Sequence, residues 1–474
     1  MSGCSAFFGL AQQPVTITIW HYYTAGLENS FNSMVSEFNQ SYGHEHNIIV
    51  QTQNMQDVDT LAAKVVESSK KAVGADPLPN IIFAYNGTVF TLDQLNMVVN
   101  LDDYFTKSEL SRYYPSFIEE GRIGRDNKLE SFPVAKSTEL LFINKADFDL
   151  FEQSANASGL YDKVTLDDFS TFEGIERLAN TYFEWTDAKT PSVPNDGKSF
   201  FGLDSTPNFV SVGLRQLGNE PVTISDATGS FSINKEAAKR LWDFYYNNLL
   251  TGRFSEIGNY RADDMKTGDL VAYLGSSGGA TYFPLEIMPD SNTTRKTQLL
   301  VMPYPVFKGA KAITIQQGAG MSVLRSDKRH EEAAADFIKW FTNPEQNVKF
   351  SYMSGYQPVQ KAEYIKEAQT KELDALKTNP DITEQNTLLA LQAASSQFEQ
   401  YDLTVDKEYQ GSFDVRNMFG TTLSAAAKAA RTAFLNDLSA GETLEQALPV
   451  YQDQSHFESW YLSIQKQFAE LTGQ

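Results

Sequence analysis

Ser131-Phe132-Pro133-Val134-Ala135-Lys136-Ser137-Thr138-Glu139-Leu140-Leu141-Phe142-Ile143-Asn144-Lys145 decides how this chain is organised. A proline stands near its start, and an unbroken apolar run, Leu140 to Ile143, follows a short polar one. A run of that length without alternation reads as a strand buried on both faces. It lies in a chain of 474 residues, which is too long for a single hydrophobic core. The stretch is therefore expected to cross between two α/β lobes, with Phe132 to Lys136 as a hinge. Leu140 to Ile143 would be the first buried strand of the second lobe. Ser137 and Glu139 are then candidate partners for a ligand's hydroxyls on the floor of a cleft.

The pattern upstream supports a first α/β lobe. Val15-Thr16-Ile17-Thr18-Ile19-Trp20 alternates β-branched residues and reads as a strand. Leu27 to Asn39 follows with Phe31, Met34, Val35 and Phe38 at helical spacing. Ile48 to Thr52 is a second strand, and Val58 to Val73 a helix stopped by Gly74. Pro79-Asn80-Ile81-Ile82-Phe83-Ala84-Tyr85-Asn86-Gly87 is a third strand running into a polar loop. This βαβ alternation implies a parallel sheet covered by helices. Such sheets take ligands at the carboxyl ends of their strands, which singles out Trp20, His21, Tyr85 and Asn86.

Downstream, Phe200 to Asp204 is a strand and Ser205 to Phe209 a turn, and Ala237 to Leu250 is a helix. Leu270 to Leu274 is a strand followed by Gly275-Ser276-Ser277-Gly278-Gly279. That loop fits the hydrolase pattern G-x-S-x-G, but the pattern requires a helix at once and a histidine later. Pro284 falls where the helix would run, and the later histidines are His330 and His456. Ser277 and Gly278 therefore read as a loop offering backbone N–H groups to a ligand. Leu299 to Pro303 and Gly318 to Leu324 are strands, and Glu331 to Phe341 is a helix with Ala334, Phe337, Ile338 and Phe341 on one face. From Ala362 the chain is mostly helical, over Val359 to Lys377, Thr387 to Gln400, Thr421 to Leu438 and beyond. Gly318-Ala319-Gly320 lacks the third glycine of a dinucleotide fingerprint, and no P-loop occurs. His44-Glu45-His46 matches no zinc spacing, and no metal or cofactor is expected. Asp102-Asp103, Asp167-Asp168 and Asp263-Asp264 read as helix caps or turns. What recurs at strand ends is aromatic and small polar residues: Trp20, His21, Tyr85, Asn86, Ser137, Glu139 and Tyr356. Carbohydrates fit that mixture, because their C–H faces stack on rings while their hydroxyls need directional partners.

Composition narrows the class. A net charge of −21 opposes binding to a phosphate backbone, so no nucleic-acid partner is expected. No run of about 18 apolar residues occurs. The single cysteine, Cys4, cannot form an internal disulfide. Met1-Ser2-Gly3-Cys4-Ser5 is similar to the tail of a bacterial lipoprotein signal, which implies a lipid anchor on Cys4 and a tether over residues 1–13.

The chain resembles the extracellular solute-binding proteins of bacterial ABC importers, the carbohydrate-binding family with maltose- and glycerol-phosphate-binding members. Ile17 to His21, Pro79 to Phe83, Phe132 to Ala135 with Leu141 to Lys145, Ala333 to Phe341 with Asn343-Pro344-Glu345, and Gly355-Tyr356-Gln357-Pro358-Val359 carry that resemblance in order, within Val15 to about Leu448. It implies a two-lobed fold closing on a solute by hinge motion, with several crossings between lobes and a helix-rich C-terminal part. One lobe would be 14–136 with 306–352, and the other 137–305 with 356–474. It also implies a monomer, anchored at the outer face of the membrane or periplasmic, that delivers its ligand to a permease. The ligand-binding set is Trp20, His21, Tyr85, Asn86, Ser137, Glu139, Ser277, Gly278, Gly318, Tyr356 and Arg416. Phe413-Asp414-Val415-Arg416 is similar to the glycerophosphate-binding branch, where a late arginine holds phosphate, whereas Asn86 departs from the acidic residue usual there. A sugar or short oligosaccharide is the first expectation, a glycerol-phosphate or glycerophosphodiester the second. A secreted glycoside or ester hydrolase using Ser277 or a carboxylate pair is the alternative from another class.

Overall fold

The structure, a computed structural model, describes residues 13–23, 25–123, 127–193, 195–225, 228–290, 292–376 and 381–473. The chain divides into two compact units. The first comprises the residues up to Ala135, Gly318–Ser354 and Pro358–Glu372; the second comprises Lys136–Gln317, Gly355–Gln357 and Leu373 onward. The first passage between them falls after Ala135, inside the stretch quoted above. Two boundaries differ from the sequence reading. Residues 306–317 go with the second unit, because a strand at Ile313–Gln317 pairs with Ser137 and Thr138. Pro358–Glu372 goes with the first, where Val359 accepts from the Tyr114 N–H and the Lys361 N–H donates to Arg112.

The strands that build the two larger sheets are, in chain order, β1 (Val15–His21), β2 (Ile48–Asn54), β3 (Ile81–Ala84), β4 (Phe132–Pro133), β5 (Ser137–Asn144), β6 (Phe201–Leu203), β7 (Ala272–Ser276), β8 (Leu299–Met302), β9 (Ile313–Gln317), β10 (Gly320–Val323) and β11 (Asp402–Thr404). The first unit's sheet has the order β2-β1-β3-β10-β4. β1 is parallel to both β2 and β3, and β10 is antiparallel to its neighbours. Helices α1 (Ala25–Gln40) and α2 (Val58–Ser69) make the parallel crossovers. The α1 stripe of Phe31, Met34, Val35 and Phe38 is buried. The Asp57 side chain caps α2 by accepting from the Thr60 N–H at 2.7 Å. After β3 the sequence reading expects a loop, but helix α3 (Asn86–Gln94) starts at once. Gly87 lowers its helix propensity, and burial of Val89 and Leu92 outweighs that.

The second unit's sheet runs β11-β9-β5-β7-β6, with β8 also paired to β5. Every residue of β5 is buried. Leu141 and Ile143 face one core cluster, and Leu140 and Phe142 face another. At roughly 1.5–3 kcal/mol for each such side chain, the strand's register is well fixed, since a one-residue slip would exchange the two faces. β7, β8 and β9 all run antiparallel to β5, and β6 runs parallel to β7. The carboxyl ends of β6, β7 and β9 therefore share one edge of the sheet with the first residues of β5. Helix α4 (Thr206–Gln216) follows β6 where a turn is expected from sequence. Ser205 caps it and Pro207 stands in its first turn, so the residues that suggest a turn here begin a helix. Helices α5 (Ile382–Gln400) and α6 (Ser412–Ser439) complete the parts of this unit that bear on the site.

Candidate functional site

The shared edge of the second sheet gathers a polar cluster. Glu139, the third residue of β5, pairs in register with Ser276 at the end of β7. Its side chain is 3% exposed, and its Oε1 accepts from the Asn208 amide of α4 at 2.7 Å. Burial pushes the Glu139 carboxyl up to about 7. The Asn208 hydrogen bond and the Arg416 charge pull it down, and the Asp204 charge adds to the rise. Asp204 directly follows β6, accepts from the Arg261 N–H at 2.7 Å, and is itself pushed up to about 6, chiefly by burial. Two carboxyls at one strand edge, both held above the ordinary range by burial, supply hydrogen-bond acceptors there.

The guanidinium groups nearby are already engaged. Arg416, in the first turns of α6, is half-buried and lies 3.6 Å from Asp406. Asp406 also accepts from Arg215 at 2.7 Å and from the Ser211 hydroxyl at 2.6 Å. Burial acts against the Asp406 carboxylate, but the Arg215 charge, the Ser211 bond and Arg416 hold it below its usual value. Arg215 makes a second ion pair, with Glu220, at 2.6 Å. Arg261 is bound to Asp264 at 2.5 Å.

Ser277 and Gly278 open a short 3-10 turn directly after β7. The Ser277 hydroxyl is buried, and its oxygen accepts from the Thr138 N–H at 3.4 Å. His330 binds Asp327 and His456 binds the Val450 carbonyl. Gly355–Gln357 lies against this turn. Gln357 pairs with Lys136, and a Cβ placed on Gly278 would stand 3.8 Å from the Tyr356 ring. Ser137 is buried at the start of β5 opposite Gln317 of β9. Ser137, Glu139, Ser277, Gly278 and Tyr356 are thus brought together within the second unit. Gly318 follows β9 at the passage into the first unit, with a φ of +112°.

In the first unit the expectations divide. Trp20 is 1% exposed, packed among Met55, Leu61, Val65, Ile82 and Val89. His21 is equally buried, its Nδ1 accepting from the Tyr23 N–H at 3.2 Å and its ring set edge-on to Phe31. Both expected ligand contacts are thus buried at the end of β1, under a sheet covered on both faces, as Ser137 and Glu139 are at the start of β5. Burial also lowers the His21 pKa, with the Glu28 charge acting the other way. Tyr85 is 47% exposed at the end of β3, and its ring stacks on Tyr22 at 6.1 Å and 18°. Asn86 donates to the Glu120 carbonyl at 2.9 Å from the first turn of α3. Cys4 lies outside the described residues.

Sequence reasoning missed Asp204 and Asn208. The Ser205-Thr206-Pro207 start of α4 could have found them, since a cap followed by proline places Asn208 in a first helical turn beside a strand end. A groove of about 590 Å³ between α1 and β2 is lined by Asn32, Ser36 and Gln51, and one of about 240 Å³ by Thr404 and by Arg215, the partner of Asp406.

The family model for bacterial extracellular solute-binding proteins matches residues 33–384. The chain belongs to that family. No curated protein matches the sequence. Among solved structures, the cyclic α-maltosyl-1,6-maltose binding protein of Arthrobacter globiformis is 18% identical, covers 96% of this chain and 100% of its own, and superposes with a TM-score of 0.63. UgpB of Mycobacterium tuberculosis in complex with glycerophosphocholine is 16% identical, with coverage of 96% and 98% and a TM-score of 0.65. MalE of Bdellovibrio bacteriovorus bound to maltotriose is 13% identical, with coverage of 96% and 99% and a TM-score of 0.61. This solute-binding protein thus has the two-lobed α/β fold of those receptors. Among its described residues no helix is long and apolar enough to cross a membrane.

Proposed function

We propose that this solute-binding protein captures a sugar or short oligosaccharide on the strand-end surface of its second unit and delivers it to an ABC permease. Both solute chemistries occur on this fold, maltotriose in one solved structure and glycerophosphocholine in another. The observation that carries the choice is the charge balance around Glu139. Glu139 and Asp204 supply acceptors, while Arg215, Arg261 and Arg416 each already have a carboxylate partner. Hydroxyl groups donate to such a surface, whereas a phosphate would meet two carboxyls and no free guanidinium.

The test is a melting-point screen with maltose, maltotriose, mannobiose and glycerophosphocholine, followed by calorimetric titration of whatever shifts the midpoint. A ligand at 100 times its Kd stabilises the folded protein by about 2.7 kcal/mol. A sugar should shift the midpoint. Loss of a charged hydrogen-bond partner in Glu139→Ala should then weaken the sugar by about 10- to 100-fold, with a much smaller loss in Arg416→Ala. A shift with glycerophosphocholine alone, abolished by Arg416→Ala, would overturn the reading in favour of the phosphodiester. The N-terminal anchor is a separate proposal. Mass spectrometry of membrane-associated protein should find a diacylglyceryl group on Cys4 that Cys4→Ser lacks.

A further inference from the structure

The strand edge proposed to bind solute is built from separate pieces of chain: the start of β5, the Ser277–Tyr282 turn and Gly355–Gln357. α5 touches all three. It packs against that turn and against β5, and one of its side chains and one of its carbonyls bind Gln357.

Gln397 of α5 is fully buried. Its Nε2 lies 2.8 Å from Thr138 Oγ1, 3.1 Å from the Glu139 carbonyl and 3.2 Å from Thr314 Oγ1 of β9. Its Oε1 accepts from the Tyr304 N–H at 2.6 Å. An amide has two N–H donors, so three acceptors share them, and its carbonyl end is occupied as well. Two residues earlier, Ser395 Oγ donates to Gln357 Oε1 at 3.1 Å, and six residues earlier the Leu391 carbonyl accepts from Gln357 Nε2 at 3.1 Å. Gln357 in turn exchanges backbone hydrogen bonds with Lys136, one residue before β5. The backbone that carries Glu139 and the backbone that carries Tyr356 are therefore hung from one helix. Most of that helix lies beyond residue 384, where the family match ends.

We propose that Gln397 is a positioning residue for solute binding: through it α5 fixes the start of β5, and hence the Glu139 carboxyl, in the geometry a solute meets. The proposal rests on the reading that this edge binds solute, and α5 extends the same hold to Tyr356 through Ser395 and Gln357.

A matched control exists in the same unit. Gln216 is also buried; its Nε2 donates to the Pro305 and Ile313 carbonyls at 3.0 Å, and its Oε1 accepts from the Phe307 N–H at 3.1 Å. It binds only backbone, none of it in β5, the Ser277–Tyr282 turn or Gly355–Gln357. Gln397→Met and Gln216→Met each remove a buried amide of the same length, so both should lower the melting midpoint. Only Gln397→Met should weaken the probe maltotriose, by about tenfold or more, and speed hydrogen exchange at the Thr138, Glu139 and Gln357 amides by about tenfold. Thr138→Val removes one of the three acceptors and should give the same pattern more weakly, which keeps the test open if Gln397→Met does not fold. Equal loss of affinity in Gln397→Met and Gln216→Met would overturn the proposal, as would unchanged exchange at those amides in Gln397→Met. If the unaltered protein does not bind maltotriose, the sugar reading fails while the exchange comparison still decides this one.

Discussion

Glu139 is the residue where binding and stability oppose each other. Its carboxyl is raised from an ordinary 4.5 to about 7, first by burial. The folded state therefore holds a proton that the unfolded chain releases. The stability linked to it is complete below the ordinary value and is lost as the pH rises through 7, a cost on the order of 3 kcal/mol by pH 8. Glu139→Gln keeps an oxygen for the Asn208 amide and removes that cost. The substituted protein without solute should melt higher than the parent at pH 8 and alike at pH 4.5, while binding sugar more weakly; equal midpoints at pH 8 would contradict this. Glu130 is a second buried carboxyl, pushed up to about 8 by burial and by Asp93. Glu130→Gln should relieve the loss of stability above neutral pH without affecting solute affinity. A fall in affinity would show that the first unit's carboxyl also serves the ligand. Neither pKa was legible in the sequence, because each depends on how much water the fold removes from a side chain. Trp20 differs: its place at a strand end and the helices that cover its sheet were both readable, but how completely they bury its ring was not.

At the scale of elements, periodicity was a good guide where apolar spacing was long and regular. The α1 stripe and the run in β5 lie where their patterns place them, and the helix Lys328–Phe341 buries Ala334, Phe337, Ile338 and Phe341 on one face. Short elements that start with punctuating residues were misread. α3 begins next to Gly87 and α4 has Pro207 in its first turn, while the long helix α6 starts at Ser412, well before the apolar rhythm near Thr421 suggests. Glycine and proline mark turns by their own preferences, and tertiary burial overrides those preferences when the next residues find a core. Gly355 is a case where the preference stands. Its φ is +75°, and a Cβ there would lie 3.2 Å from the Gly278 Cα. Gly355→Ala should cost about 1–2 kcal/mol from the left-handed backbone alone, seen in a denaturant midpoint. It should also displace the Ser277–Gly278 turn and so reduce solute affinity. Unchanged affinity at reduced stability would separate that turn from the binding surface.

For the whole molecule, the net charge of −21 sets the response to solution conditions. Like charges repel in the compact state more than in the expanded one, and exposed ion pairs such as Lys328–Glu332 contribute little to set against that. Raising NaCl from about 0.05 to about 0.5 M shortens the screening length several-fold. The melting midpoint at pH 8 should therefore rise with salt; a falling midpoint would mean that the ion pairs outweigh the repulsion. The first unit's sheet carries a different consequence. β10 lies between β3 and β4, yet it comes from Gly320–Val323, long after both in the chain. As the polypeptide grows from its amino end, β3 waits for its antiparallel neighbour until more than 180 residues of the other unit have been made. Closure of the first sheet is thus a late, non-local event, of the kind that slows folding. A chain ending at Ala319 should leave unprotected those Ile81–Ala84 amides that bond β10 rather than β1, and adding residues through Glu372 should protect them; early protection of those amides in the shorter chain would show that the sheet does not wait for β10.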